Sequence, residues 1–131
     1  MKLAEPDREV VVMVGDGSYL MLNSEIATSV MLGLKLVIVV LDNRGFGCID
    51  RLQRATGGAP FNNLLGDGLR DGLAPVDFAA HAAALGAASE KVPEIGALPA
   101  ALERARTATR TYVMVIDTDP QAATGAGGAW W

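Results

Sequence analysis

Two short apolar runs rich in β-branched residues constrain the fold more strongly than any other feature of this sequence. The runs are Glu9–Val14 and Lys35–Leu41, and each leads into a turn that contains glycine. Continuous valine and isoleucine without polar alternation is typical of strands that are buried on both faces of a parallel sheet. The sequence therefore predicts two neighbouring, fully buried strands.

The segment between these two runs has the period of an amphipathic helix. Asn23 or Ser24 is placed to cap its start, and Gly33 is placed to close its end. A strand, a helix and a second strand make the βαβ unit of an α/β sheet. The apolar positions that recur at three- and four-residue intervals are Ile26, Ala27, Val30, Met31 and Leu34.

The rest of the chain extends this architecture. Arg44–Leu73 has little periodicity apart from a possible short helix at 48–55, and a loop of this length is more often functional than idle. Residues 121–128 form a tail of small residues without a pattern. We expect one three-layer α/β/α domain with a mostly parallel sheet over residues 1–131. Its later elements are a helix capped by Asp77 and ended by Gly86, a short strand at Ser89–Val92, a helix after Pro93 and a buried strand at Thr111–Ile116.

Charge and cysteine content exclude several classes of partner and location. The chain has 11 basic and 15 acidic residues, a net charge of −4 and no cluster of Lys or Arg, so neither nucleic acid nor a membrane surface is an expected partner. Cys48 is the only cysteine, which excludes an internal disulfide. The N-terminus lacks an apolar signal core, and the longest apolar run is too short to cross a bilayer. These features predict a cytoplasmic protein.

Polar and glycine residues follow both predicted strands. Gly15, Asp16, Gly17 and Ser18 follow the first strand, and Asn43 follows the second. Ligands of open parallel sheets bind outside the carboxyl ends of the strands, and glycines let a backbone approach a phosphate closely. An aspartate would repel a bare phosphate, but it becomes useful if Mg²⁺ lies between the two. The sequence predicts a phosphate site that contains a divalent cation.

This GDG followed by Asn, with strand, helix and strand between, resembles the cofactor motif of thiamine-diphosphate-dependent enzymes. The resemblance covers nearly the whole chain and corresponds to the C-terminal, diphosphate-binding domain of that family, with its thiamine-diphosphate-binding fold. It implies that Asp16, Asn43 and the main-chain carbonyl of Gly45 hold Mg²⁺, which bridges to the cofactor diphosphate. Many members have two consecutive Asn residues, whereas this chain has Asp42 before Asn43. Cofactor binding is implied for Gly15, Asp16, Gly17, Ser18, Asn43 and Gly45.

The resemblance also implies that this chain contains only half of a catalytic site. The family's activating glutamate belongs to a pyrimidine-binding domain on the same enzyme or on a second subunit, and Glu25 does not take that role. We therefore expect a homo-oligomeric enzyme acting on a small-molecule substrate, and an isolated chain that is inactive. The loop sequences are most similar to members that hydrolyse a C–C bond of a cyclic 1,2-dione in myo-inositol breakdown. Acetolactate-synthase-like and 2-oxoacid-decarboxylase-like activities are the alternatives.

Two readings of other classes remain open beside this one. A nicotinamide-binding Rossmann module would use Asp42 as its ribose-binding acid, but its glycine pattern requires Gly at position 20, which is Leu20 here. The other is an inactive fragment that only folds or associates. Both ends look cut, because the chain stops at Trp130 and Trp131. We expect a fragment or the C-terminal domain of a longer enzyme, although a natural short subunit is an alternative.

Several other conspicuous residues receive structural interpretations. The second GDG, at residues 66–68, does not follow a β-branched strand and is interpreted as a turn. His81 is interpreted as a residue on a helix face rather than a catalyst, and Cys48 as a buried or half-buried thiol. Phe46 and Arg51 lie close enough to Asn43 in sequence that contact with a substrate is possible.

Overall fold

The computed structural model describes residues 1–67 and 76–120. Within these ranges four strands form one sheet in the order β1-β2-β4-β3, and every neighbouring pair is parallel. The mostly parallel sheet predicted from the sequence is therefore confirmed. The strands are β1 (Val11–Gly15), β2 (Val37–Asp42), β3 (Ala88–Val92) and β4 (Tyr112–Asp117).

Five α-helices connect and cover these strands within the described residues. Short 3₁₀ turns occur at Leu65–Asp67 and at Ile95–Ala97. The helices are α1 (Asp16–Met21), α2 (Ser24–Met31), α3 (Gly47–Ala55), α4 (Phe78–Ala84) and α5 (Leu98–Thr107).

Two apolar cores lie on opposite faces of the sheet and make the domain three-layered. On one face, α1, α2 and α4 contribute Tyr19, Ile26 and Phe78, which pack against the centre of β2 and β4. On the other face, α5 contributes Ala101 and Ala105. The central strands β2 and β4 are buried from both sides, as predicted from their continuous apolar runs.

The prediction that the first strand is buried on both faces is wrong. Val12 and Val14 pack into the first core, but Val11 is 55% exposed and Met13 is 67% exposed. The reason is position, because β1 is an edge strand of the described sheet while α5 packs over the strands further in. When an edge strand is apolar on both faces, its sequence does not show which face is covered by a helix of the same chain.

The helix ends predicted from the sequence agree with the structure better than the predicted buried face of α2 does. Gly33 follows α2 with a φ of 64°, and the Asp77 carboxylate accepts a hydrogen bond from the Ala80 amide at 2.9 Å, so both predicted helix ends are confirmed. In contrast, Met31 is 85% exposed, and Leu34 lies beyond the end of α2. Asn23 precedes α2, but its side chain donates to Leu20 O instead of capping the helix. The predicted tail at 121–128 and the final tryptophans lie outside the described residues.

Candidate functional site

The carboxyl edge of the sheet brings together the two segments that the sequence singled out. β1 and β2 are adjacent and parallel, with Gly15 beside Leu41 in the register. Asp16 follows β1 as the first residue of α1, and Asn43 follows the last residue of β2. The short helix α1, which begins at Asp16 itself, was not predicted, because its few residues are too short a window for a helical period to show.

Asp16 is a buried carboxylate held by backbone amides. Asp16 is only 1% exposed. Its Oδ2 accepts a hydrogen bond from Gly45 N at 2.5 Å, and its Oδ1 accepts a longer one from Asn43 N at 3.4 Å. Burial raises the pKa of Asp16 above its ordinary value, the amide of Gly45 opposes this, and the charge of Asp42 adds to the rise. No basic side chain of the described residues pairs with this carboxylate.

The Asn43 side chain completes a cluster of possible oxygen ligands. One terminal atom of its amide lies 3.0 Å from Asp16 Oδ1 and 2.9 Å from Gly45 O. With the amide nitrogen in that position, Asn43 donates to both oxygens; with the amide oxygen there, three oxygens converge. Mg²⁺ binds oxygen in a near-octahedral set at short range, so adjacent ligands stand about 2.9 Å apart. The spacing therefore suits either a hydrogen-bonded latch or the face of a magnesium site.

Glycine at position 47 makes room for this arrangement. A Cβ added at Gly47 would lie 2.5 Å from Asn43 Nδ2, closer than a side chain can be placed without displacement. The turn before it is fixed by Asp42, whose Oδ1 accepts from Arg44 N at 2.9 Å and whose main-chain oxygen accepts from Thr118 N at 2.8 Å. Asp42 thus supports the turn that presents Asn43 and Gly45.

The residues expected to meet the diphosphate lie beside the Asp16 carboxylate. Gly17 is buried and Ser18 is exposed, and both belong to the first turn of α1. Gly15 ends β1 and is half-buried. Phe46, which was considered for substrate contact, places its ring against Gly17 and is 38% exposed.

The structure also places the other residues that the sequence analysis considered, none of which is among the proposed oxygen ligands. His81 hydrogen-bonds the buried Tyr19 hydroxyl at 2.9 Å and so ties α4 to α1. Cys48 is exposed, so its predicted burial is wrong; Arg51 Nη2 lies 3.3 Å from its sulfur. The second GDG forms a turn as far as it is described, because Asp67 accepts from Leu64 N at 3.2 Å, while residue 68 lies outside the described ranges.

Two features are absent from residues 1–67 and 76–120. No group of three or more His, Cys, Asp or Glu side chains is arranged to hold a metal ion. No helix in the same ranges is long and apolar enough to cross a membrane.

The fold and the site together define a class of protein: a parallel α/β domain whose ligand site lies at the carboxyl ends of two adjacent strands. The chain belongs to the family of thiamine pyrophosphate enzymes, as their C-terminal TPP binding domain, and the family profile matches residues 1–117.

Similar sequences agree with this assignment over nearly the full length of the chain. The chain is 42% identical to the 3D-(3,5/4)-trihydroxycyclohexane-1,2-dione hydrolase of Clostridium perfringens, over 99% of this chain and 21% of the relative. It is 39% identical to the protein of the same name from Geobacillus thermodenitrificans, over 100% of this chain and 21% of the relative. The chain thus spans about a fifth of the length of these relatives.

Solved structures show the same fold. Benzoylformate decarboxylase from Polynucleobacter necessarius superimposes with a TM-score of 0.79 at 25% identity, covering 93% of this chain and 22% of that one. The thiamine diphosphate-dependent 4-hydroxybenzoylformate decarboxylase of Rhodococcus jostii RHA1 gives a TM-score of 0.78 at 22% identity, covering 90% and 21%. Both confirm the three-layer thiamine-diphosphate-binding fold.

Proposed function

We propose that this chain is the domain of a thiamine-diphosphate-dependent hydrolase that binds Mg²⁺ and the cofactor diphosphate. The proposed enzyme cleaves a C–C bond of a cyclic 1,2-dione in inositol catabolism and acts in the cytoplasm. The observation that carries the proposal is the contact of Asn43 with Asp16 Oδ1 and Gly45 O at 3.0 and 2.9 Å, inside a domain of the matching family. The substrate class follows the names of relatives about 40% identical over the whole chain.

Three ligands from this chain would hold the metal ion. Asp16 supplies the only full negative charge among them, and burial at 1% exposure leaves little water to compete for it. Asn43 supplies its side-chain oxygen after the amide turns over, and Gly45 supplies its main-chain oxygen. Because burial raises the pKa of Asp16, a bound divalent cation would also relieve the cost of keeping that carboxylate ionised.

The backbone around Asp16 is suited to the diphosphate. Gly15, Gly17 and Ser18 flank the carboxylate in sequence, and Ser18 is exposed. Main-chain N–H groups in this stretch can donate to phosphate oxygens, while the cation screens those oxygens from Asp16. This division explains why an acidic residue lies in the middle of a phosphate-binding loop.

When bound, thiamine diphosphate supplies a carbon nucleophile and an electron sink for breaking a bond next to a carbonyl group. The residues of this chain contribute binding and orientation. They would anchor the diphosphate through the cation and the loop amides at the carboxyl edge of the sheet. Proton transfer to and from the cofactor is assigned to residues outside this chain.

The exposed apolar surface supports a role as one domain of a larger enzyme. Val11 and Met13 leave one face of β1 uncovered, next to an open groove that also includes Leu102 of α5. An apolar surface of this kind in a soluble enzyme is normally an interface. We propose that the pyrimidine-binding domain and the remainder of the enzyme, in the same polypeptide or a second subunit, complete the assembly, and that it is a homo-oligomer.

A decarboxylase acting on a 2-oxoacid is the second candidate, because both similar structures carry that activity in their names. The hydrolase is preferred because the sequence relatives are far more similar to this chain than those structures are. A turnover assay with the complete enzyme would distinguish them: release of a ring-opened acid from the cyclic dione supports the hydrolase, and release of CO₂ from an aryl 2-oxoacid supports the decarboxylase. The isolated chain is expected to turn over neither substrate.

Calorimetric titration of this chain tests cofactor binding directly. Thiamine diphosphate with Mg²⁺ should bind weakly and NAD should not bind, because the glycine pattern of a nicotinamide site is absent. Asp16→Ala should abolish the Mg²⁺-dependent heat. Asp77→Ala is the matched control, since it removes a carboxylate that caps α4 and has no role at the site. Equal binding by the Asp16 and Asp77 variants would refute the assignment of Asp16 as a metal ligand. If the unmodified chain binds neither cofactor, the result would favour an inactive fragment.

A further inference from the structure

A second segment of the chain, residues 62–65, lies across the turn that carries two of the proposed metal ligands. We call this segment the strap. Gly45 and Leu64 form an antiparallel bridge, Phe46 N donates to Asn63 O at 2.7 Å, and Leu65 N donates to Arg44 O at 2.8 Å. The turn is thus hydrogen-bonded on both sides of Gly45. Nothing in the sequence pattern indicated this pairing, because an isolated bridge has no periodicity.

The strap approaches Gly45 so closely that only glycine fits there. Gly45 has a φ of 141°, and a Cβ at this position would lie 2.4 Å from Asn63 O and 2.9 Å from Leu64 Cα. Both contacts are with backbone, which cannot swing aside as a side chain can. The position of the Gly45 carbonyl therefore depends on where the strap lies.

Gln53 on α3 fixes the strap from outside. Its Oε1 accepts a hydrogen bond from Asn63 Nδ2, and its Nε2 donates to Ala59 O at 2.6 Å. Its main-chain oxygen also accepts from Gly58 N at 2.8 Å. One side chain thus ties the returning loop to a helix, and the Asn63 side chain is the link between that helix and the strap.

We propose that Gln53 and Asn63 are positioning residues for the metal site, which act by holding the strap against the turn at Gly45. This inference rests on the proposed function. Neither residue is among the proposed ligands; each acts through the placement of the Gly45 oxygen. Because Mg²⁺ demands near-ideal octahedral geometry, a ligand that drifts by a fraction of an ångström is lost as a ligand, and supporting residues of metal sites commonly change affinity about 10-fold to 100-fold.

Amide exchange in the absence of cofactor gives the first test. In the unmodified chain, the amides of Phe46 and Leu65 should exchange slowly because both are bonded across the strap. In Gln53→Ala, both should exchange at least about tenfold faster, while the amides in the centre of β2 stay unchanged. Unchanged protection of Phe46 and Leu65 in this variant would overturn the proposal, because Gln53 would then not be holding the strap.

Metal binding gives the second test. The Mg²⁺ concentration for half-maximal binding, measured by NMR shifts at a fixed concentration of thiamine diphosphate, should rise about tenfold in Gln53→Ala and in Asn63→Ala. The double variant should show no further loss, because both residues belong to one link. Thr56→Ala is the matched control: it removes hydrogen bonds at the end of the same helix without touching the strap, and its midpoint should be unchanged.

Rescue distinguishes positioning from general destabilisation. Exchanging the two amides, as Gln53→Asn with Asn63→Gln, keeps the combined length of the Gln53–Asn63 link but shortens the side chain that reaches Ala59 O, so it should restore most of the shift in the midpoint. Additive loss in the double alanine variant, or a shift in Thr56→Ala equal to that in Gln53→Ala, would overturn the inference while leaving the proposed function intact. If the wild-type chain shows no Mg²⁺-dependent NMR shifts, the result would instead contradict the proposed function.

Discussion

Asp16, just after β1, and Glu90, on β3, are two carboxylates of the same domain with opposite surroundings. Glu90, on β3, accepts two hydrogen bonds from Arg104 at 3.0 and 2.6 Å and a third from the Tyr112 hydroxyl at 2.6 Å. The hydrogen bond from Arg104 holds the pKa of Glu90 below its ordinary value. Asp16 is more deeply buried and receives hydrogen bonds from backbone amides and, in its hydrogen-bonded orientation, from the Asn43 side-chain amide. No basic side chain of the described residues pairs with it, and its pKa is raised because burial dominates.

The contrast separates a carboxylate that stabilises the fold from one that is reserved for a ligand. Glu90 finds its cation within the chain, so its charge contributes to folding. No basic side chain of the described residues pairs with Asp16, and a buried, preorganised carboxylate of this kind costs stability when no cation is bound. The difference can be tested by neutralising each carboxylate in turn.

The largest effect is expected from Asp16→Asn. Mg²⁺-dependent binding of thiamine diphosphate should fall about a hundredfold or more, because the only charged ligand is lost. Without Mg²⁺, the same variant should have a higher free energy of unfolding than the wild type, because a buried charge has been removed. Calorimetry and urea denaturation measure the two quantities. A variant that loses binding and stability together would show that Asp16 is a structural residue like Glu90.

Gly47→Ala should have the next largest effect, although it removes no ligand. The new methyl group would collide with the Asn43 amide, so we expect Mg²⁺-dependent cofactor binding to weaken about tenfold. Gly66→Ala is the control, since a Cβ there meets no atom within 4 Å. Equal affinities for the two alanine variants would show that Asn43 does not need its observed position.

Glu90→Gln should change stability and leave cofactor binding alone. The side chain of Glu90 is 24% exposed, so solvent weakens its interactions, and we expect a loss of about 1 kcal/mol in the free energy of unfolding at pH 7. Urea denaturation measures the loss. A changed Mg²⁺ midpoint in this variant would contradict the separation of the two regions.

The smallest effect expected is in the pH dependence of stability, which should have opposite signs for the two carboxylates. For Glu90, the stability advantage of the wild type over Glu90→Gln should be complete above the ordinary value of 4.5 and should disappear as pH falls through the lowered pKa. For Asp16, the folded chain holds its proton more tightly than the unfolded chain. The wild type should therefore gain stability relative to Asp16→Asn as pH falls through the raised pKa towards 3.8. Parallel slopes in urea midpoints measured without Mg²⁺ would refute the comparison.

The sheet was predictable because its central strands carry an unambiguous local signal. Val37–Val40 is buried in the structure from both sides, and continuous apolar residues are what such a position requires. The meeting of Asp16 and Asn43 was also predictable, since the ends of adjacent parallel strands share one edge. What failed was β1, where Val11 and Met13 have the same residue types as a buried strand but lack a cover within the described chain.

The support around the site could not be predicted, because it depends on contacts between distant residues. Gln53 and Asn63 are ordinary polar residues in a segment without periodicity, and their pairing exists only after the loop has returned to α3. Similarly, Tyr19 and His81 are 62 positions apart, so their hydrogen bond has no local signature. The site assignment for Gly15, Asp16, Gly17, Ser18, Asn43 and Gly45 stays a prediction until binding is measured.

The close packing at Gly47 has a consequence for how gene copies of this domain lose function. A duplicated gene in which Gly47 has become alanine would still encode Asp16, Asn43 and Gly45, and would still fold into the same sheet. Its product should nevertheless bind the cofactor about tenfold more weakly, because a Cβ there would lie 2.5 Å from Asn43 Nδ2 and displace that amide. Ligand residues alone would classify such a copy as fully active, whereas one base change at a position without a side chain would have weakened its binding.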